Sequence, residues 1–128
     1  MSHFSQIKTK IRNLPALESA LNDMGVSWKS GPLPVRGHRG QTETAEVVIS
    51  QNNGYDIGFR WTGREYELVA DFQFWDHQLT VEQFLNQVTQ RYALNTVLNS
   101  TSEQGFSVAK QESDVDGNIR LVVQRWNG

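Results

Sequence analysis

The side chains best suited to chemistry in this chain are three histidines, His3, His38 and His77, and a run of acids, Glu65, Glu67 and Asp71. No histidine stands at i, i+2 or i+4 from another, the spacings that would turn two imidazoles toward one metal from a single element. His77 follows Asp76 just ahead of an expected helix, where capping competes with metal ligation. Glu67 and Asp71 share one face of a strand. Paired carboxylates divide acid and base work when their surroundings push their pKa values apart, but like charges four apart on an open strand are usually just solvated. Serines are frequent, yet no Gly-x-Ser-x-Gly elbow occurs and no histidine is placed to activate one. An enzyme built on these residues would use Glu67, Asp71 or His38, assembled between a loop and a sheet. The sequence carries no recognisable catalytic constellation, and none is assigned.

Arg36-Gly37-His38-Arg39-Gly40 is Gly-rich and basic. Arginines flanked by glycines offer guanidinium forks and backbone N–H groups to a phosphate or carboxylate. No Gly-Lys-Ser/Thr follows and no strand–loop–helix pattern surrounds the segment, so it is not a P-loop. Arg36, His38 and Arg39 are candidates for holding an anion, a nucleotide or RNA, with a solvated surface loop as the alternative. A sheet that reads RNA needs exposed aromatics amid positive charge. Trp75 and Trp126 supply the rings, but Glu67 and Asp71 oppose that use.

The elements that must position these groups are plain in the pattern. Glu43 to Trp75 reads as a three-stranded antiparallel meander, with turns at Asn52-Asn53-Gly54 and Thr62-Gly63-Arg64. Asn-Gly between alternating runs predicts a two-residue hairpin turn with φ > 0 at both positions. Phe4 to Arg12 reads as a first strand. Asn13 caps a helix with Pro15 in its first turn, Leu14, Leu17, Leu21 and Met24 on one side, and Gly25 at C′. Val26 to Ser30 is a short strand, and Gly31 to Gln41 a long irregular loop dense in Gly and Pro. Thr80 and Gln83 form a capping box ahead of a helix striped by Val81, Phe84, Leu85, Val88 and Tyr92. A last hairpin runs from Phe106 to Gln111, turns near Asp116-Gly117, and returns from Ile119 to Trp126. The order β-α-β-β-β-β-α-β-β implies an α+β fold: a single antiparallel or mixed sheet with both helices on one face, ferredoxin-like with an extra hairpin.

Two irregularities bear on function. Leu94, Val97 and Leu98 point nearly opposite to the main stripe of the second helix, so either the helix breaks near Asn95 or an apolar spot is left for a partner. The outer sheet face mixes Glu46, Arg60, Glu67 and Asp71 with Val48, Val69, Trp75, Val122 and Trp126, which implies cross-strand pairing or a cover. Trp75, Leu94, Val97, Leu98 and Trp126 are therefore the partner-surface candidates. In the loop, Leu33 and Val35 are expected to be at least partly buried, against the sheet or a neighbouring chain, with Arg36 to Gly40 exposed.

The 128 residues, 38% apolar and 20% charged, suit one domain over 1–128 with its own core. A net charge of −2 gives no global pull toward nucleic acid or an anionic membrane. With no cysteine there is no disulfide, thiolate metal site or thiol nucleophile. No secretory signal pattern opens the chain, and no apolar run nears the roughly 20 residues of a membrane span. The chain is expected in the cytoplasm or a plastid stroma, without membrane insertion and without a cofactor.

Several segments together carry a resemblance: Met1-Ser2-His3-Phe4-Ser5, Val35-Arg36-Gly37-His38-Arg39-Gly40, Ala45-Glu46-Val47-Val48-Ile49, Gly54-Tyr55-Asp56-Ile57-Gly58-Phe59, Tyr66-Glu67-Leu68-Val69-Ala70-Asp71, Gln90-Arg91-Tyr92-Ala93 and Leu121-Val122-Val123-Gln124-Arg125-Trp126. Over its full length the chain resembles the hypothetical chloroplast reading frame thirty-five family of cyanobacteria and algal plastids, a domain of unknown function. The resemblance implies a cyanobacterial, plastid or cyanophage setting and an accessory role, and it supplies no catalytic residues. The expected function is a non-catalytic interaction or assembly-accessory protein with a protein partner. The alternative is an anion-, nucleotide- or RNA-binding module using Arg36 to Arg39.

Overall fold

Strands joined by tight turns pair in chain order, and that constraint sets the sheet. The computed structural model describes residues 4–103, 106–113 and 119–125, the side chains as far as Leu98. Its elements are β1 (Ser5–Lys8), α1 (Leu14–Asp23), β2 (Lys29–Arg36), β3 (Thr42–Ser50), β4 (Asp56–Trp61), β5 (Tyr66–Ala70), α2 (Val81–Glu103), β6 (Phe106–Ser113) and β7 (Ile119–Arg125). Five strands form one sheet in the order β1-β5-β4-β3-β2, with every neighbouring pair antiparallel. The fold is α+β, as expected.

The ferredoxin-like detail is corrected. The β2–β5 meander occupies consecutive places, so β1 has only an edge left and takes the free side of β5, with Ser5 opposite Ala70 and Lys8 opposite Glu67. The last hairpin, β6–β7, makes a separate two-stranded sheet in contact with α2.

Local chemistry explains both helix starts. The Asn13 side chain accepts the Ala16 N–H at 3.0 Å, and Pro15 stands in the first turn of α1, where its missing N–H costs nothing. At α2, Thr80 Oγ1 accepts the Gln83 N–H at 3.1 Å while Gln83 Oε1 accepts the Thr80 N–H at 3.0 Å, a reciprocal capping box. Both helices lie on one sheet face. Leu17 and Leu21 of α1 and Phe84 and Val88 of α2 share one buried cluster with Val47, Ile49, Ile57, Phe59 and Leu68.

The Gly31–Gln41 stretch is not a loop. It is the distal half of the β2–β3 hairpin, and it folds over the outer face of the sheet. The pairing slips by one residue between Ser30 and Leu33, where Gly31 and Pro32 stand opposite Glu46 alone and their peptide is cis. A bulge of this kind bends and twists the ribbon. Beyond it the hairpin doubles back, so that β2 touches β4 although β3 lies between them in the sheet. Val35, fully buried, comes to rest on Gly58: a Cβ at Gly58 would lie 2.4 Å from Val35 Cγ2 and 2.9 Å from Ala45 Cβ. Only a residue without a side chain lets the two layers close. Val35, Ala45 and Val48 form a second small core, with Phe4 and Leu33 packed against it. Burying Val35 contributes about 1.5–3 kcal/mol.

The type I′ geometry is also displaced. At Asn52-Asn53-Gly54 only Gly54 has positive φ, and the Gly54 N–H donates to Gln51 O, giving a longer turn than Asn-Gly implies. Instead Arg39 (φ 57) and Gly40 (φ 75) are the central pair of the β2–β3 turn, closed by Gln41 N–H to His38 O. Among the described residues no helix is long and apolar enough to cross a membrane.

Gly58→Ala should lower stability by about 1–3 kcal/mol through overpacking, read as the urea midpoint. Hydrogen exchange should quicken at Val35 and Arg36 before it quickens at Val47. Unchanged stability would mean that the hairpin does not rest on Gly58.

Candidate functional site

Folding the hairpin back gathers Arg36, His38, Asp56 and Asp71 around the Tyr55 and Phe74 rings. Asp56 opens β4 and is 3% exposed. Its Oδ2 accepts both the Arg36 main-chain N–H and Arg36 Nε at 2.8 Å, and its Oδ1 accepts Arg36 Nη2 at 2.9 Å. The guanidinium fork matches the carboxylate bidentately, the strongest geometry such a pair has. Burial works to raise the Asp56 pKa, but the hydrogen bonds and charge of Arg36, with a hydrogen bond from Ser50, outweigh it and hold the carboxyl below its usual value. The Arg36 pKa is raised by the same hydrogen bonding and charge.

The three basic candidates therefore part company. Arg36 remains 55% exposed at its side chain, yet its fork is taken by Asp56. His38 is partly buried, with its ring stacked on Phe74 at 5.0 Å between centroids and 14° between planes, while Tyr55 stacks on the same Phe74 at 4.6 Å. Arg39 alone stays exposed at the tip with no ion pair to the described residues. The expectation that Leu33 and Val35 are at least partly buried is met, Leu33 in part and Val35 fully, but the tip is not free throughout: Gly37 is buried, and a Cβ there would strike the Phe4 ring at 2.5 Å.

The carboxylates are separated by what they bind. Glu67, 8% exposed, accepts Arg60 Nε at 2.9 Å and pairs with Arg60 Nη2, while Arg60 Nη1 bonds Glu43 of the hairpin at 2.8 Å. Asp71, 4% exposed, caps the short 3-10 turn Phe72–Phe74 through Oδ1 and the Gln73 N–H. Its Oδ2 and His38 Nδ1 are both buried without a hydrogen-bond partner. His77 ends its turn by accepting the Leu79 N–H at Nδ1, at 3.0 Å, and burial lowers its pKa.

Two partner-surface candidates are corrected. Trp75 is not on the outer face: it packs edge-on against Phe84 at 5.5 Å and donates Nε1–H to Leu79 O at 2.7 Å. Leu94 is 6% exposed. The helix runs unbroken past Asn95, whose Nδ2 reaches Asp23 Oδ2 at 3.2 Å on α1. Val97 is 42% exposed and Leu98 partly buried, while Trp126 lies outside the described residues. Asp56 escaped sequence reasoning. The Arg60–Glu67 contact was within reach, because a turn that sets Trp61 opposite Tyr66 also sets Arg60 opposite Glu67.

Residues 20–122 match a family described as a protein of unknown function, DUF1257. Among curated relatives, each titled uncharacterized protein ycf35, that of Guillardia theta is 47% identical over 126 residues, 98% of both chains. That of Cyanophora paradoxa is 45% identical over 126 residues, again 98% of both, and that of Pyropia yezoensis 39% over 127 residues, 99% of both. No solved structure matches the chain significantly.

Since the folded carboxyl of Asp56 titrates below its unfolded value, its stabilisation is complete above about pH 3.9. It is lost as pH falls through the lower folded value. Denaturant midpoints of the parent chain should drop on going from about pH 5 to about pH 2, and Asp56→Asn should start lower and drop less. Arg39→Ala should stay within about 0.5 kcal/mol of the parent. Equal pH slopes for parent and Asp56→Asn would refute the assignment.

Proposed function

The chain belongs to the DUF1257 family of unknown function, and from that footing we propose that it is a non-catalytic interaction or assembly-accessory protein of cyanobacterial or plastid cells. One observation carries the reading. Glu67 and the guanidinium groups of Arg36 and Arg60 are committed to ion pairs that hold the fold, whereas Val97 on α2 leaves a large apolar side chain in solvent. Arg36 bound to Asp56 serves the hairpin, Arg60 binds Glu67 and Glu43, and His77 closes the turn into α2. An anion-binding role for the basic tip would rest on Arg39, since Arg36 could join only by giving up Asp56. A buried carboxylate stripped of its only cation is costly, so the accessory reading is preferred.

Recognition on this reading centres on Val97 with Leu98 beside it, a patch that a partner would cover. Affinity purification of the tagged chain from cyanobacterial cells should recover a stoichiometric partner. Val97→Asp should reduce that recovery at least about tenfold, equivalent to ~1.4 kcal/mol, with an unchanged denaturant midpoint because the side chain is half out in water. Recovery of free monomer alone under gentle conditions would sink the proposal. Equal capture by Val97→Asp would move the contact off α2.

A further inference from the structure

At its turn end, β4 outruns one of its two neighbours. β3 pairs with β4 from Val47–Phe59 to Ser50–Asp56, and beyond the bulge opposite Glu46 its distal half bends away over the outer face. Arg60 and Trp61 are left to pair with β5 alone, opposite Glu67 and Tyr66. The Trp61 main-chain N–H, with no strand to meet, donates to Glu46 Oε2 at 2.7 Å. Trp61 and Tyr66 share the helix side of the sheet with Phe59, since residues two apart on a strand face alike. Yet Tyr66 joins the main core and Trp61 does not. The Trp61 indole stays 39% exposed, tilted on the buried Tyr66 ring at 4.9 Å between centroids. The turn beyond it is closed by the Thr62 N–H and Oγ1–H, which donate to Glu65 O at 2.9 and 3.0 Å. A tryptophan fixed in place at a surface is among the side chains that most often anchor a partner.

The charge acting on this corner is negative. Burial raises the Tyr66 pKa, and the charges of Glu46 on β3 and Glu18 on α1 raise it further. Two carboxylates from different elements therefore act on the ring against which Trp61 leans. Neither takes part in an ion pair among the described residues. The neighbouring Arg60 belongs to the opposite face and is bound by Glu67 and Glu43. Arg64, in the turn, is exposed and pairs with neither glutamate. An indole face is the aromatic surface that attracts cations best. A guanidinium suits such a place, being planar and weakly hydrated: it stacks on the ring while its N–H fork meets a carboxylate.

We propose that the Trp61 corner docks an arginine side chain of a protein partner, its guanidinium on the exposed indole and its N–H groups toward Glu46, with Glu18 adding to the field. Charge complementarity selects this occupant. A phosphate or an acidic segment is repelled by the two glutamates, and a purely apolar surface would cover Glu46 without meeting its charge. The inference does not rest on Val97, which belongs to α2.

The test is a nuclear magnetic resonance titration of the full chain with a capped Gly-Arg-Gly-Arg-Gly peptide. The same peptide with citrulline for arginine, of the same shape but uncharged, is the control. Saturable shifts are expected at the Trp61 indole N–H and at the Trp61 and Glu46 amides with the arginine peptide, weakening as salt is added, and not with the citrulline peptide. Trp61→Ala should weaken binding at least about tenfold. Glu46→Gln keeps an oxygen for the Trp61 N–H and removes only the charge, and combined with Glu18→Gln it should weaken binding to a similar extent. Denaturant midpoints close to the parent's would show that both variants are folded. No saturable shift, an equal response to the citrulline peptide, or undiminished binding in the Glu18→Gln/Glu46→Gln chain would each overturn the proposal. Shifts at Trp61 on concentrating the chain alone would give the corner to a second copy and overturn it too.

Discussion

Asp56 is the point on which the outer layer of this molecule depends. A carboxylate at 3% exposure is tolerable only if its charge is met, and the structure meets it with one residue used twice, through the main-chain N–H and the guanidinium of Arg36. The main-chain bond fixes where the strand passes, and the fork fixes how it is turned. Between them they register the distal β2–β3 hairpin over β4, and Val35 then falls on Gly58. Arg60 repeats the device further along the sheet, joining Glu67 of β5 to Glu43 of the hairpin. Ion pairs on open surfaces contribute little. The Arg36–Asp56 pair matters because its carboxylate is buried and opening the hairpin would strand it, whereas Arg60 would keep Glu67 and lose only Glu43.

The outer face therefore cannot be read as an open sheet. Val48, at 4%, and Val69, at 0%, are covered within the chain itself. This resolves the mixture of charges and aliphatics along the strands. The aliphatics make the small core under the hairpin, and the charges tie its rim. The rings make no open platform: His38 and Tyr55 each stack on Phe74, and Trp75 turns to the helix side. What remains outside on the β4–β5 end is Trp61, 39% exposed and tilted over Tyr66 at 4.9 Å.

Much of this was legible where the signal is local. The Asn13 cap, the Thr80–Gln83 box, the meander strands and the placement of both helices on one face follow from spacing and turn chemistry alone. The helical stripe also correctly set Phe84 and Val88 in the core. The distal hairpin was not legible, because two prolines and several glycines erase the alternation that marks a strand, and a bulge shifts its phase. The burial of Leu33 and Val35 survived that loss, since two aliphatics spaced by two carry the strand period even when the composition reads as loop. Asp56 was hidden for a different reason. Its partner lies twenty residues away across a fold-over that no pattern of period two encodes. Leu94 was misplaced because the helical wheel knows one neighbour, the sheet, whereas α2 also packs on α1.

The hairpin's closure is a balance rather than a surplus. On the favourable side stand Val35, the Arg36–Asp56 fork and the stacked rings. Against them stand His38 Nδ1 and Asp71 Oδ2, two buried polar atoms without a hydrogen-bond partner. Each such atom costs about 1–3 kcal/mol, the same order as burying one aliphatic side chain. Among the described residues the inner layer carries no such atom, and Phe59, Phe84, Leu17 and Leu21 are buried in one apolar cluster. Stability is therefore unevenly divided between the layers. Local opening should begin at the hairpin and leave the helix-side core standing, which makes the segment that holds most of the charged candidates also the part most easily moved.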